Sequence, residues 1–372
     1  MDLILKIILV SALLANNVYA ANPIKIFRSA NQQVQLDLIK SGLGVVWGFD
    51  FINNEKLIFT ERNGKMKTLH LEKKVIHEIK GLPKIDSVGQ GGLLDIALHP
   101  EFSKNSWVFM SFTQKYDAGV GTIIAKAQLQ NNKLINYKEL FRTNPPGSGG
   151  QHFGSRIVFG KDNTIFFGVG DRGNRPRVQK LKYPNGKLFR IKQDGSIPED
   201  NPFLGNKDAI KSIWSLGHRN PQGMAIHPET GELWEQEHGP KGGDEINLIK
   251  KGLNYGWPII TYGKEYGGST IGPKSKPGLE QPIKHFTPSI APSSLMIYSG
   301  KLFKKWKGNF FSASLKLKHL NRIVIKSKKV IREERLLKDL NERLRNVREA
   351  PGGEIYFSTD HGNIYKLSLV KH

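Results

Sequence analysis

None of the 372 residues is a cysteine. That excludes disulfides, thiolate metal centres and cysteine nucleophiles together. The fold must therefore be held by core burial, with or without a metal. Long apolar runs are missing too. Beyond the N-terminus no stretch approaches the roughly 18 to 20 residues that a membrane-crossing helix needs, so no stable membrane span is expected. Helical periodicity is scarce; only Glu333–Arg345 reads as a helix, in competition with a loop between strands. Acidic residues are outnumbered, 33 against 56 lysines and arginines, which leaves a net charge of +23. Such an excess favours anionic partners such as nucleic acid, lipopolysaccharide or phospholipid surfaces, or an acidic redox protein. The basic residues are spread along the chain, with only a modest cluster over Lys301–Lys329, and no nucleic-acid motif accompanies them. The charge reads as a diffuse surface property, and nucleic acid is not expected as a ligand.

What the chain does contain is turn chemistry, with 39 glycines and 19 prolines. The first twenty residues read as a cleaved leader: Lys6, a short apolar run Ile7–Leu14, and Val18-Tyr19-Ala20 before a cut ahead of Ala21. An exported, periplasmic or secreted protein is expected, with residues 21–372 forming one domain. Within it one pattern recurs: a short apolar strand, a turn of Gly, Asn, Asp or Pro, and a second apolar strand leading to a polar or glycine-rich exit. The pairs are Val46–Ile52 with Lys56–Thr60, Leu94–Leu98 with Trp107–Phe112, and Ile157–Phe159 with Thr164–Val169. Three more follow: Met224–His227 with Glu232–Gln236, Leu295–Tyr298 with Asn309–Ala313, and Val347–Glu349 with Glu354–Ser358. Six copies, each near fifty to sixty residues, predict an all-β, six-bladed β-propeller with four-stranded antiparallel blades. A pair of β-sandwiches is the rival architecture, but it would not repeat one hairpin six times.

In an antiparallel hairpin the start of the first strand and the end of the second lie together. Across six blades these positions ring one mouth of the central channel. Gln90, His152, Arg219, Asn220, Arg343 and Arg345 precede first strands; Asp171, His238-Gly239-Pro240, Lys316, Asp360 and His361 follow second ones. His152 is suited to general-base work, and Asp171 on the same blade can orient its ring. The arginines and Lys316 suit a multiply anionic ligand. Glu237–Glu245 reads as an oxygen-rich metal loop that favours Ca²⁺, with an ordinary acidic loop as the alternative.

These residues resemble the soluble quinoprotein aldose and glucose dehydrogenases. The resemblance runs from about Gly44 to Leu367. It is carried by Gly89-Gln90-Gly91-Gly92-Leu93-Leu94-Asp95, His152-Phe153-Gly154-Ser155-Arg156, Gly168-Val169-Gly170-Asp171 and Gly217-His218-Arg219-Asn220-Pro221-Gln222-Gly223. The run Glu237-His238-Gly239-Pro240 through Asp244-Glu245-Ile246-Asn247 to Asn254-Tyr255-Gly256-Trp257-Pro258 completes it. The resemblance implies pyrroloquinoline quinone (PQQ) and Ca²⁺ as cofactors, an aldose as substrate and a separate electron acceptor. It implies that His152 takes the sugar's hydroxyl proton while hydride leaves the anomeric carbon, giving a lactone. Gln90 would sit beside substrate and quinone, and Arg219, Asn220, Lys316, Arg343 and Arg345 would hold the quinone, with Tyr266 touching it. The carbonyls of Gly239 and Pro240 would bind the catalytic Ca²⁺, and Glu245 and Tyr255 match a second, structural one. Gln151 replaces an Asp of the glucose enzymes, and His285–Ser289 lacks their tryptophan; the chain is also shorter than those enzymes, which points to the compact aldose branch. Two other readings stand beside this one: a propeller hydrolase or lactonase using a channel metal, and a non-catalytic propeller binding an anionic partner. Either a monomer or a homodimer is compatible with the sequence.

Overall fold

The computed structural model describes residues 23–117 and 119–370; the proposed leader, residues 1–20, lies outside them. Nearly all regular structure is β, arranged as six antiparallel sheets around an axis. From the axis outward, blade I runs Val46–Phe51, Lys56–Glu61, Lys65–His70 and Ile76–Glu78. Blade II is Leu93–Leu98, Trp107–Tyr116, Gly119–Gln130 and Lys133–Arg142, and blade III is Ile157–Phe159, Ile165–Val169, Lys187–Ile191 and Ile213–Leu216. Blade IV comprises Pro221–Ile226, Leu233–Glu237, Asp244–Ile249 and Lys284–Phe286; blade V comprises Pro292–Ile297, Phe310–Ser314, Leu320–Lys326 and Lys329–Leu336. Blade VI is Leu344–Glu349, Ile355–Thr359 and Ile364–Leu369, with Gln32–Lys40 and then Lys25–Ser29 on its outside. All six sequence-read hairpins are the inner two strands of a blade. No helix among the described residues is long and apolar enough to cross a membrane.

The ring is closed non-covalently. Val34 and Leu36, both buried, come from the N-terminal strand and pair with Leu369 and Leu367 of the C-terminal one. Closure by strand pairing leaves no open sheet edge at the seam and needs no disulfide. Between blades the sheets bury their faces against each other in separate apolar layers, for example Phe109, Phe167 and Phe189 between blades II and III.

Five of the six inner strands carry a bulge near their starting end, where pairing to the second strand slips at Val46/Gly48, Leu93/Ile96, Pro221/Gly223, Pro292/Ser294 and Leu344/Asn346. A bulge re-aims the extra side chain. The residues in these slips are Trp47, Leu94, Asp95, Gln222, Ser293 and Arg345, and four of them line the cleft described below. Two sequence expectations are corrected here. Glu333–Arg345 is not helical: strand continues to Leu336, a short 3-10 turn spans Lys338–Leu340, and the inner strand of blade VI begins at Leu344. The Glu237–Glu245 loop is shorter than expected, because Glu237 ends one strand and Asp244 begins the next.

Asp95 and Arg156 form an ion pair inside the channel, with Nη1 to Oδ1 at 2.6 Å and both side chains buried. Removing one member of such a pair leaves the other charge uncompensated, at a cost of about 3–5 kcal/mol. Asp95→Asn is therefore expected to destabilise the protein by about that amount in urea unfolding, whereas pairing it with Arg156→Met recovers part of the loss. Additive losses in the double variant would show that the two side chains act independently.

Candidate active site

Loops joining second to third strands, and loops joining one blade to the next, meet on one face. There a cleft of about 210 Å³ opens, lined among others by Trp47, Gln90, Asn220, His238, Arg343 and Arg345. His152 sits on its lip, in the lead-in to blade III, with a backbone φ of +55°. A left-handed non-glycine residue persists only where its surroundings hold it. Here the His152 N–H donates to Gln90 Oε1 at 2.9 Å. His152 Nδ1 lies 2.6 Å from Asp171 Oδ1. Since a carboxylate only accepts, Nδ1 carries the proton, and in the neutral imidazole the lone pair is on Nε2.

Asp171 is itself fixed from two sides. The Gly173 N–H donates to Oδ1, and Trp257 Nε1 donates to Oδ2 at 2.8 Å. Burial alone would raise its carboxyl; the hydrogen bond and charge of His152, the Gly173 N–H and the charge of Arg219 overcome that and hold it below the usual range. Trp257 comes from the long excursion between the last two strands of blade IV, and its ring also faces the Arg219 and Arg175 guanidinium groups. The tryptophan was visible in the sequence motif, but nothing local indicated that it reaches a carboxylate on another blade.

The cationic side of the cleft is built on blade VI. Asp360 accepts from Arg343 Nε at 2.8 Å and from both Nε and Nη2 of Arg345 at 2.7 and 3.0 Å. Burial opposes charge on Asp360, but Arg345 and then Arg343 outweigh it and keep the carboxyl below its usual range. His238 completes the wall, with Nε2 2.7 Å from the Pro292 carbonyl. Burial, then the charge of Arg219, lower its pKa to about 3, so it is a neutral donor. Asn220 is buried and accepts from the Gly154 N–H and from Gln222.

Arg219 Nη1 donates to the carbonyls of His238 and Gly239, at 3.0 and 2.8 Å, while its buried Nε has no partner among the described residues. The Pro240 carbonyl takes no hydrogen bond from the described residues. A side chain at Gly239 would lie 2.3 Å from the Gly242 and Gly243 carbonyl oxygens, so this turn requires glycine there. The Asp244 carboxylate is not free for a ligand: it accepts from the N–H groups of Gly239, Ile290 and Ala291 and from the Ser289 hydroxyl. Beneath the turn, Glu237, Glu245 and Tyr255 border a small hollow. Burial and then Glu237 push the Glu245 carboxyl well above its usual range. The Tyr255 hydroxyl is already engaged, donating to the Leu248 carbonyl and accepting from the Lys250 N–H. Deeper still, His218, Glu235 and Glu237 bring three potential ligand atoms within 4.8 Å of one another. That cluster was not foreseen; its signal is the alternation of Glu235 and Glu237, which puts both on one face of a strand.

The structure thus brings Gln90, His152, Asp171, Arg219, Asn220, Arg343, Arg345 and the Gly239-Pro240 turn into one neighbourhood. Two candidates lie outside it. Lys316 is exposed, and only the adjacent Leu315 lines the cleft. Tyr266 is 71% exposed on the blade IV excursion.

A channel-mouth cleft lined by arginines, beside a carboxylate-oriented histidine, defines a propeller built to bind a polyanion next to a base. The chain belongs to the glucose/sorbosone dehydrogenase family, whose model matches residues 43–366, and is thereby a member of an oxidoreductase family. It is 36% identical to the aldose sugar dehydrogenase YliI of Escherichia coli, over 91% of this chain and 94% of that one. The crystal structure of the soluble aldose sugar dehydrogenase from Escherichia coli, in its apo-form, superposes with a TM-score of 0.87 at 35% identity, covering 91% of this chain and all of the other. A PQQ-bound aldose sugar dehydrogenase from Streptomyces coelicolor superposes at 0.75 with 26% identity, over 91% and 98% of the two chains. The residues present fit such a group. The guanidinium-rich wall suits carboxylates, the unpartnered Arg219 Nε is a buried donor lacking an acceptor, and the Pro240 carbonyl is a hard oxygen donor suited to Ca²⁺.

Because Asp360 has a folded-state pKa below that of an unfolded carboxyl, its pairing stabilises the fold above about pH 4 and is lost as pH falls through the folded value. Asp360→Asn is expected to melt earlier than the parent at pH 7, with the gap closing as pH falls below the usual carboxyl range and through the depressed folded value. A gap unchanged at acid pH would mean that Asp360 does not act through its charge.

Proposed function

We propose that this protein oxidises aldose sugars at the anomeric carbon to lactones, using PQQ and Ca²⁺, and passes the electrons to a separate acceptor. The observation that carries the reading is the His152–Asp171 pair, set at the lip of a guanidinium-lined cleft in a member of this family. When bound, the quinone supplies the hydride acceptor and the cation supplies Lewis acidity beside it. Arg343, Arg345 and Arg219 would hold its carboxylates, Asn220 and Gln90 would border it, and the Gly239 and Pro240 carbonyls would face the cation. The Gly239 carbonyl currently accepts from Arg219, so cation binding would require that guanidinium to shift towards the anionic cofactor. Tyr266 and Lys316 would need to swing inward to contribute.

The protein's own chemistry follows from the dyad. Nε2 of His152, with no partner among the described residues, accepts the proton of the anomeric hydroxyl. Nδ1–H stays bonded to Asp171, whose ionised carboxylate stabilises the imidazolium that forms. Trp257 and Gly173 keep that carboxylate from turning away. Gln90, through the His152 N–H, holds the left-handed backbone that aims the ring. The abundance of arginine in the cleft speaks against a hydrolase that relies on acidic ligands around a channel metal.

Purified protein should gain aldose-dependent dye reduction only when both PQQ and Ca²⁺ are supplied. Absence of activity with both a hexose and a pentose under those conditions would overturn the proposal. His152→Ala should keep quinone binding, followed by absorbance titration, and lose about 10²- to 10⁴-fold in kcat. Undiminished turnover would remove His152 from the role of base.

A further inference from the structure

We propose that the cleft-bearing face is a docking surface for an acidic, one-electron carrier protein, drawn there by lysines that form no ion pair among the described residues. The inference rests on the quinone reading above and names the class of its electron acceptor. Oxidising one aldose to its lactone releases two electrons and two protons. Two one-electron carriers take up the electrons in turn, and the protons go to solvent. A protein cannot enter a cleft of about 210 Å³, so it must collect electrons from the rim.

The rim's charges are unequal in a way the sequence total conceals. Its carboxylates, the exposed Asp117 apart, are engaged within the protein. Asp171 is held by His152 and Trp257, Asp360 by Arg343 and Arg345, and Glu265 by Arg175. Asp339 pairs with Lys25, Glu342 accepts from Asn363 and Tyr365, and Asp86 accepts the Lys115 N–H. The rim lysines are not engaged in this way. Lys84, Lys241, Lys316 and Lys338 lie in loops of this face, and Lys264, in the blade IV excursion, bridges to Lys241 through its backbone. All five are exposed and form no ion pair among the described residues, Lys241 donating only to the Tyr266 carbonyl. The inner hairpin turns of the opposite face differ. Residues 52–55, 99–106, 160–164, 227–232, 298–309 and 350–354 together hold six acidic and six basic side chains. Pairs such as Lys104–Glu101 and Lys307–Glu229 bridge some of them. Unpaired positive charge therefore surrounds the cleft mouth, whereas the inner hairpin turns opposite are balanced. Over a Debye length of about 8–10 Å at ordinary salt, such a field steers an oppositely charged protein and rejects a basic one.

The test uses plant-type acidic plastocyanin and basic mitochondrial-type cytochrome c as probes. Three proteins are compared: the parent, a rim variant (Lys84→Glu, Lys264→Glu, Lys338→Glu), and a control with the same charge change on the far face (Lys301→Glu, Lys304→Glu, Lys305→Glu). Binding is first measured without cofactor. Plastocyanin should bind the parent and the control alike, at least tenfold more weakly at 200 mM than at 20 mM NaCl, and at least tenfold more weakly to the rim variant. Turnover is then measured with PQQ, Ca²⁺ and an aldose. Plastocyanin should be reduced faster than cytochrome c by the parent and the control, with the order reversed in the rim variant and an uncharged dye reduced equally by all three. Equal plastocyanin affinity for the rim and control variants overturns the docking proposal. So does affinity for phosphatidylglycerol vesicles, lost in the rim variant, without affinity for plastocyanin. Failure of the parent to reduce even the dye would instead overturn the quinone reading, and the binding measurement separates the two failures.

Discussion

One buried ion pair is the point on which all six blades converge. Arg156, in the lead-in to blade III, meets the Asp95 carboxylate of blade II, the Gln222 carbonyl of blade IV and the Ser293 carbonyl of blade V. Trp47 of blade I lies against the guanidinium at 4.3 Å, and Arg348 of blade VI comes within 3.9 Å of Asp95. A buried charge is costly unless its donors are satisfied, and here every edge of the guanidinium meets an acceptor. Burial lowers the Arg156 pKa to about 10, which still leaves it charged at neutral pH. The same pair divides the channel. Above it is the cleft; below it lies a separate cavity of about 300 Å³ bordered by Arg156, Asn346, Arg348 and Glu349.

The bulged inner strands explain how a repeating architecture yields a non-repeating site. A regular strand would present alternate residues to the channel with the same phase in every blade. The slips at five inner strands break that phase near the cleft, so that Trp47, Leu94, Gln222 and Arg345 turn inward where the cleft needs bulk, an amide or a charge. Blade III has no slip between its first two strands. Its contribution comes from the preceding segment instead, where left-handed His152 and Ser155 and the close packing of Gly154 against the Gly168 carbonyl set the chain's direction. The dyad and the ion pair are four residues apart on that segment, so the base is mounted directly on the residue that joins the blades.

The inner hairpins were legible in the sequence because their apolar alternation and turn residues are local signals. The outer strands were less so. Lys133–Arg142 and Lys329–Leu336 are mostly half-buried or exposed and rich in charge, and their strand character comes from pairing with an inner neighbour rather than from composition. That is why Glu333–Arg345 could be read as a helix. The closing strand Gln32–Lys40 could not be placed at all, since its partner lies more than three hundred residues away. At the site, the positions of Gln90, His152, Asp171 and the arginines followed from hairpin phase. The roles of Trp257, Asp95 and the Glu235–Glu237 pair depend on contacts between blades, which no spacing along the chain encodes. The charge reading was incomplete for the same reason. A net +23 says nothing about which carboxylates are already paired, and that accounting is what separates the two faces.

The divided channel also constrains the order of events in the proposed reaction. With Arg156 and Asp95 filling the middle, sugar enters, lactone leaves and electrons depart through the single mouth beside His152. A carrier protein seated on the lysine-bearing rim covers that mouth, so a carrier and a fresh sugar cannot both use it freely. Carrier binding therefore has to be weak and short-lived, and attraction between exposed charges, screened within about 10 Å of salt solution, supplies encounters of that kind. A tight apolar interface at the same place would seal the cleft after the first electron. The charged rim is what this order of events requires, and it follows from the same paired carboxylates and unpaired lysines that frame the site.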